Sequence, residues 1–265
     1  MGQSLWPVDA SRSFVTSLAR GLAILEAFRE GEGKFGNQAI ARRTGLPKPT
    51  VSRLTHTLVE LGYLAYCRRE RKYALSSSTL ALGFALQPCN RIRHRLRPHL
   101  EGLVRRYGGV AVLAESSRQS MICVEACTDL PSPAVWMEPG SRLALFDQPL
   151  GRLFAAALPS RRRQAVLSQI QRDEPQVADA VERLRLASAR QGFHAACEGM
   201  PEGWTAVMAA VAGADEAASG VLACFMPSAA VAQERALLAV GFACARTAQE
   251  IATEMVKATV GRVSG

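Results

Sequence analysis

Residues 39–54 read AIARRTGLPKPTVSRL, and the residues that decide how this run folds are Ala41, Gly45 and Val51. A small side chain at Ala41 lets a second helix cross close to the first. Gly45 supplies the positive φ of a tight turn without steric cost. Val51 is a β-branched residue that the second helix buries against its predecessor. Together they predict a helix from about Asn37 to Thr44, a turn at Gly45-Leu46-Pro47, and a longer helix from about Lys48 to Leu61 that Gly62 stops. Val51, Leu54, Leu58 and Leu61 then share the inward face. A rotation of about 100° per residue turns Pro49, Ser52, Arg53 and His56 outward.

Working outward, Phe14, Leu18, Leu22, Leu25 and Phe28 recur at three- and four-residue steps and predict an amphipathic helix that ends at Gly31 and Gly33. After the central pair, Tyr63–Cys67 and Lys72–Leu75 flank Arg68-Arg69-Glu70-Arg71, which reads as a β-hairpin with a charged tip. Tyr66 and Tyr73 fit strand packing better than base stacking. Two crossed helices followed by such a hairpin form a winged helix-turn-helix, whose second helix enters the DNA major groove amino end first. Lys48, Pro49, Thr50, Ser52, Arg53 and His56 are therefore candidate DNA contacts. Lys and Arg suit guanine edges or phosphate, and Ser and Thr serve either. His56 is equally consistent with an ordinary surface histidine. Arg68, Arg69, Arg71 and Lys72 crowd the hairpin tip, an arrangement that makes sense beside phosphates.

The charge follows the same division. The chain carries a net +9, but residues 1–107 hold 18 Lys and Arg against 7 Asp and Glu, whereas residues 108–265 hold 14 against 16. A basic excess confined to one segment predicts a polyanion-binding half and a separate, nearly neutral module. In that second module strands are predicted at Val110–Ser116, Ser120–Ala126 and Ala134–Met137, helices at 149–158, 161–171 and 176–190, and strands again at 192–197, 204–212 and 218–226. An Ala-rich helix closes the chain from about Ala229 to Lys257. Strands on both sides of a helical insertion imply an α+β domain on a largely antiparallel sheet. The expected organisation is a tail over 1–13, a winged helix-turn-helix over 14–76, linker helices over 77–107 and an effector-binding and oligomerisation domain over 108–265.

The stretch SLARGLAILEAFRE, followed by AIARRTGLPKPTVSRLTHTLVELGYLAY and KYALSSSTLALG, resembles the amino-terminal domain of IclR-type bacterial regulators. A weaker likeness continues through Gly140-Ser141-Arg142-Leu143, Leu150-Gly151-Arg152 and Gln191-Gly192-Phe193 into the last helix. The resemblance implies a transcription regulator with a GAF-like effector-binding domain, acting as a homodimer or dimer of dimers on palindromic double-stranded DNA. It also implies that Ser17 and Arg20 approach the DNA backbone. The sequence departs from the family where the effector is usually held. Acidic positions fall on Ala196 and Gly199, a Cys position on Ala206, two Ser positions on Ala223 and Phe225, and a His position on Phe146. The pocket is thus expected either to take a relatively apolar or aromatic effector, lined by Val112, Cys123, Phe146, Ala196, Ala206, Ala223 and Phe225, or to be filled and sense nothing.

Other chemistries find little support. The four histidines stand in no relation to a nucleophile, and no phosphate-cradling or dinucleotide-binding glycine motif occurs, so no catalysis and no cofactor or metal are expected. Seven cysteines without a Cys-x-x-Cys pair read as buried hydrophobes. A redox sensor through Cys123, Cys127 or Cys197 is the alternative, disfavoured by their apolar neighbours. No apolar run reaches the roughly 18 residues of a membrane span, and the opening residues carry no secretory pattern, so a cytoplasmic protein is expected.

Overall fold

The computed structural model describes residues 14–28, 33–84, 87–117, 120–131, 135, 137–146, 149–213 and 218–260. Two compact units divide between Cys89 and Asn90. The first contains α1 (Thr16–Glu26), α2 (Asn37–Thr44), α3 (Lys48–Glu60), the hairpin β1 (Leu64–Cys67) and β2 (Lys72–Leu75), and α4 (Ser77–Phe84). Gly45 caps α2 at φ 69°, the left-handed conformation expected of the turn. Ile24, Ile40, Val51, Leu58 and Leu64 form the buried centre, with Leu25, Phe28, Ala41 and Leu54 packed against it. Leu61 does not join them. It caps α3 in helical conformation, its N–H still bonded to Thr57 O at 2.9 Å, but at the end of the helix its side chain stays 63% exposed.

The boundary falls in the first turn of α5 (Gln87–Tyr107), whose remainder leads into the six-stranded antiparallel sheet of the second unit. Its strands are β3 (Val110–Ser117), β4 (Ser120–Thr128), β5 (Arg142–Ala144), β6 (His194–Ala196), β7 (Trp204–Ala212) and β8 (Ala218–Pro227), in the spatial order β5-β4-β3-β8-β7-β6. The helices α6 (Pro149–Ala157), α7 (Ser160–Asp173) and α8 (Pro175–Gln191) lie between β5 and β6 in the chain. A 3₁₀ turn (Ser228–Val231) precedes α9 (Glu234–Val260). The strand expected at Ala134–Met137 falls partly outside the described residues, and its described members are not in a strand. Ala134 and Trp136 lie outside the described residues, while Val135 and Met137 are buried core side chains with no strand partner. The edge strand beside β4 is Arg142–Ala144, three residues that pair with Ser120–Ile122.

Both faces of the sheet are covered, so the central strands read as apolar on both sides. One face sends Val112, Cys123, Ala206, Met208, Ala223 and Phe225 towards Leu150, Leu153 and Phe154 of α6. The other sends Leu113, Cys127, Val207, Leu222 and Cys224 towards Leu96, Leu100 and Leu103 of α5 and Val240, Cys244 and Ile251 of α9. The approach of α6 depends on Gly151, because a Cβ there would lie 1.6 Å from the Leu145 carbonyl oxygen.

Glu115 continues the alternation of Ala111 and Leu113 on β3, between Ile122 and Gly220. Burial pushes its carboxyl pKa above the ordinary value. Below the unfolded-state pKa both states hold the proton and the site costs nothing. As pH rises, the unfolded chain ionises first, and stability falls until the folded-state pKa is passed. Glu115→Gln is therefore expected to raise the melting temperature near neutral pH, with the gain closing as the pH drops through the carboxylate range. Thermal unfolding at pH 4 and pH 7.5 checks this; an equal shift at both would detach it from ionisation.

Candidate nucleic-acid interface and effector face

The recognition surface grows from the inward face of α3. With Val51 fully buried and Leu58 nearly so, Lys48, Pro49, Ser52, Arg53 and His56 are exposed, and Thr50 is half-buried. Pro47 and Pro49 help start the helix, since proline lacks the N–H that the first turn leaves without a partner. Thr55 was not singled out by its sequence. It is fully buried, and its hydroxyl donates to Val51 O at 2.9 Å, with Asn37 Oδ1 3.4 Å away at the start of α2. Ser17 and Arg20 are exposed on α1.

The wing is tied back to the helices by contacts distant in sequence. Phe35 and Tyr73 exchange backbone hydrogen bonds of 2.8 and 2.7 Å, extending the hairpin edge towards the α1–α2 connection. Arg43 donates to Ala27 O at 2.9 Å and places its guanidinium 4.0 Å from the centre of the Phe35 ring. Tyr66 and Tyr73 pack with ring centres 4.9 Å apart, as expected of strand neighbours. Lys34 Nζ meets Glu70 Oε1 at 2.5 Å, and Lys72 stands 3.9 Å from the same carboxylate. The hydrogen bond from Lys34, followed by that from the Cys67 thiol, holds Glu70 below the usual carboxylate range. The hairpin's one acid is thereby occupied. Among the described residues Arg20, Lys48, Arg53, Arg68, Arg69 and Arg71 have no carboxylate partner, and their charges stand ready for an anion.

The seven residues proposed to line an effector pocket meet in one apolar cluster. Val112, Cys123, Ala206, Ala223 and Phe225 are buried in it, and Phe146 and Ala196 pack against it. Their register explains the meeting: Ala223 pairs with both Val112 and Met208, and Phe225 with both Val110 and Ala206. Phe225 is wholly enclosed. Two clefts of about 260 and 220 Å³ open on this unit, and none of the seven lines either.

The thiols divide by setting. Cys123 points its thiol at the carbonyls of Glu125 and Met137, both 3.7 Å away. Burial pushes the Cys127 thiol up. Cys197 departs from the expected apolar setting: it is exposed, with its sulfur 3.2 Å from Thr205 Oγ1.

The IclR helix-turn-helix domain family matches residues 17–67, the stretch that runs from α1 through β1. Over the whole molecule, the crystal structure of an IclR family transcriptional regulator from Brucella abortus superposes with a TM-score of 0.81 at 30% identity, covering 96% of this chain and 99% of that one. The chain belongs to the IclR family. Among curated relatives, the HTH-type transcriptional regulator TsaQ1/TsaQ2 of Comamonas testosteroni is 37% identical over 166 residues, 62% of this chain. The chain spans 59% of the length of that relative. An IclR homologue from Microbacterium hydrocarbonoxydans, crystallised with 4-hydroxybenzoate, shares the fold at 21% identity and a TM-score of 0.70, covering 91% of this chain and 99% of its own. For this IclR-family chain, the fold read from the sequence, a helix-turn-helix followed by an α+β domain, agrees with those structures. No helix of the described residues is long and apolar enough to cross a membrane.

Proposed function

We propose that this chain is a sequence-specific DNA-binding transcription regulator, not an enzyme, working in the cytoplasm on palindromic operators. The observation that carries the reading is the outward face of α3, where Lys48, Ser52, Arg53 and His56 stand exposed above a buried Val51 and Leu58 within the matched helix-turn-helix. In this reading Lys48, Pro49, Thr50, Ser52, Arg53 and His56 enter the major groove. Ser17 and Arg20, with Arg68, Arg69, Arg71 and Lys72 of the wing, take the phosphates. A homodimer or dimer of dimers matches the two-fold operator. Leu18 and Leu22, 62% and 47% exposed on α1, with Phe14 just before the helix at 46%, form an apolar surface suited to pairing with a second copy.

The full chain is expected to bind a palindromic fragment from its own promoter region in preference to scrambled DNA. Its affinity should fall about a thousandfold or more between 50 and 200 mM salt if six or more phosphates are engaged. Equal binding to the scrambled fragment at every salt concentration would reduce the protein to a non-specific polycation.

The effector belongs to the same proposal: a small apolar or aromatic molecule held on the α6 face of the sheet. The 4-hydroxybenzoate bound by the Microbacterium homologue makes a monocyclic aromatic acid the natural first probe. A second reading, in which this face senses nothing, is favoured by the enclosure of Phe225.

A further inference from the structure

The connecting helix α5 packs along α9 with a row of cross-links: Arg95 to Glu254 at 3.4 Å, His99 Nδ1 to Glu250 Oε2 at 3.2 Å, and the Tyr107 hydroxyl to Ala239 O at 3.3 Å. Within this row lies the cleft of about 220 Å³, walled by His99, Gly102 and Arg106 on one helix and Ala243, Arg246 and Glu250 on the other. Gly102 and Ala243 carry almost no side chain, so the floor lies open between the long basic groups. Three basic side chains, His99, Arg106 and Arg246, stand in the cleft wall against one carboxylate, Glu250. Glu250 is already held by His99, and by Arg246 at 3.7 Å. Arg106 has no carboxylate partner among the described residues and leans over the Tyr107 ring at 5.3 Å. The Arg246 pair is 68% exposed on the arginine side, so solvent screens it and a better ligand displaces it at little cost.

A second feature gives the cleft mechanical weight. Pro98 also lines it and sits inside α5. Proline has no N–H to return to the carbonyl four residues back, and its ring crowds that carbonyl, so the helix ladder is weakest at the cleft wall.

We propose that the α5–α9 cleft binds a small multivalent oxyanion, carboxylate or phosphate in chemistry, gripped by Arg106 from one helix and Arg246 from the other. A planar guanidinium offers paired N–H donors that suit either anion. The bound anion joins α5 to α9 beside Pro98 and braces the helix where its own hydrogen bonding lapses. The cleft faces α5 and α9, on the opposite side of the sheet from Phe225 and its cluster, so it is distinct from the effector face above. Binding stands independently of the DNA reading. Only its consequence, a change in operator affinity, rests on that reading.

Citrate and inorganic phosphate titrated into the full chain, with chloride holding ionic strength constant, test the site. The melting temperature is expected to rise by about 4 °C at ten times the dissociation constant and then follow saturation. Arg106→Gln combined with Arg246→Gln removes two exposed groups, and this variant should fold and lose the saturable rise. Phosphate also stabilises proteins by exclusion from their surface, so a rise that survives in the double variant overturns the site. No response to either anion overturns it too. A response to citrate alone assigns a carboxylate ligand, and one to phosphate alone a phosphorylated one. Without added anion the double variant should bind operator like wild type. If the anion binds and wild-type operator affinity does not move, the bracing of α5 has no regulatory role.

Discussion

Arg53→Ala is expected to weaken operator binding by about ten- to a hundredfold while leaving the melting temperature within a degree or two of wild type. The asymmetry follows from its position. The side chain is exposed, has no carboxylate partner among the described residues and does not contribute to the Ile24–Ile40–Val51 core, so its truncation leaves no buried group unsatisfied. On DNA the same guanidinium would lose either a two-pronged contact to a guanine edge or a contact to a phosphate, and these losses differ in kind. Loss of a base contact lowers affinity for the operator and narrows its margin over scrambled DNA. Loss of a phosphate contact lowers both alike and reduces the salt slope by about one. Binding isotherms on operator and scrambled fragments at three salt concentrations separate the two. Unchanged isotherms in Arg53→Ala and in Lys48→Ala would move the interface off α3 altogether.

The helix-turn-helix was legible because its determinants are local. Gly45 adopts the φ that its lack of a side chain invites, and α2 runs over Asn37–Thr44 as its periodicity predicts. What sequence spacing did not reveal are contacts between segments far apart. Glu70 looks like a stray acid among arginines until Lys34, 36 residues earlier, is seen beside it. Arg43 reads as one more basic residue on α2, although it seals Phe35 and the end of α1. Thr55 passes for a polar surface residue in a helix of mixed composition, yet it faces the α2 contact and satisfies its hydroxyl on its own helix. Leu61 shows the opposite error: it keeps helical conformation at the end of α3, yet the core around Val51 and Leu58 does not extend to it.

The sheet divides the same way. Alternation along the strands suffices to gather Val112, Ala206, Ala223 and Phe225 on one face. Whether space remains above them depends on how closely α6 descends, and that is set by Gly151 and by an approach of helix to loop that no strand pattern encodes. The edge strand at Arg142–Ala144 is absent from the sequence reading, although the equally short β6 at the other edge falls within the strand expected at 192–197.

Phe225→Ala is expected to cost about 3–5 kcal/mol of stability, the usual range for removing a buried phenyl ring, and so to lower the melting temperature by roughly 6–20 °C. The ring is wholly enclosed between β3, β7 and the α6 layer, with Val110 and Ala206 as its strand partners. Its loss leaves an apolar void, and voids of about 150 Å³ lined by aliphatic side chains take up benzene. The same variant therefore separates the two accounts of this face. If the face holds an aromatic effector, 4-hydroxybenzoate or another member of a panel of small aromatic acids and neutral aromatics stabilises the wild type, and Phe225→Ala loses or alters that preference. If Phe225 instead fills the place a ligand would take, the wild type ignores the whole panel, and benzene or phenol restores part of the stability that the variant has lost. A wild type unmoved by every compound, together with a variant rescued by benzene, removes the effector from the proposed function and leaves Phe225 as core. The DNA-binding half is untouched by either result, because the core around Val51 and the exposed charges of α3 lie wholly in the other unit.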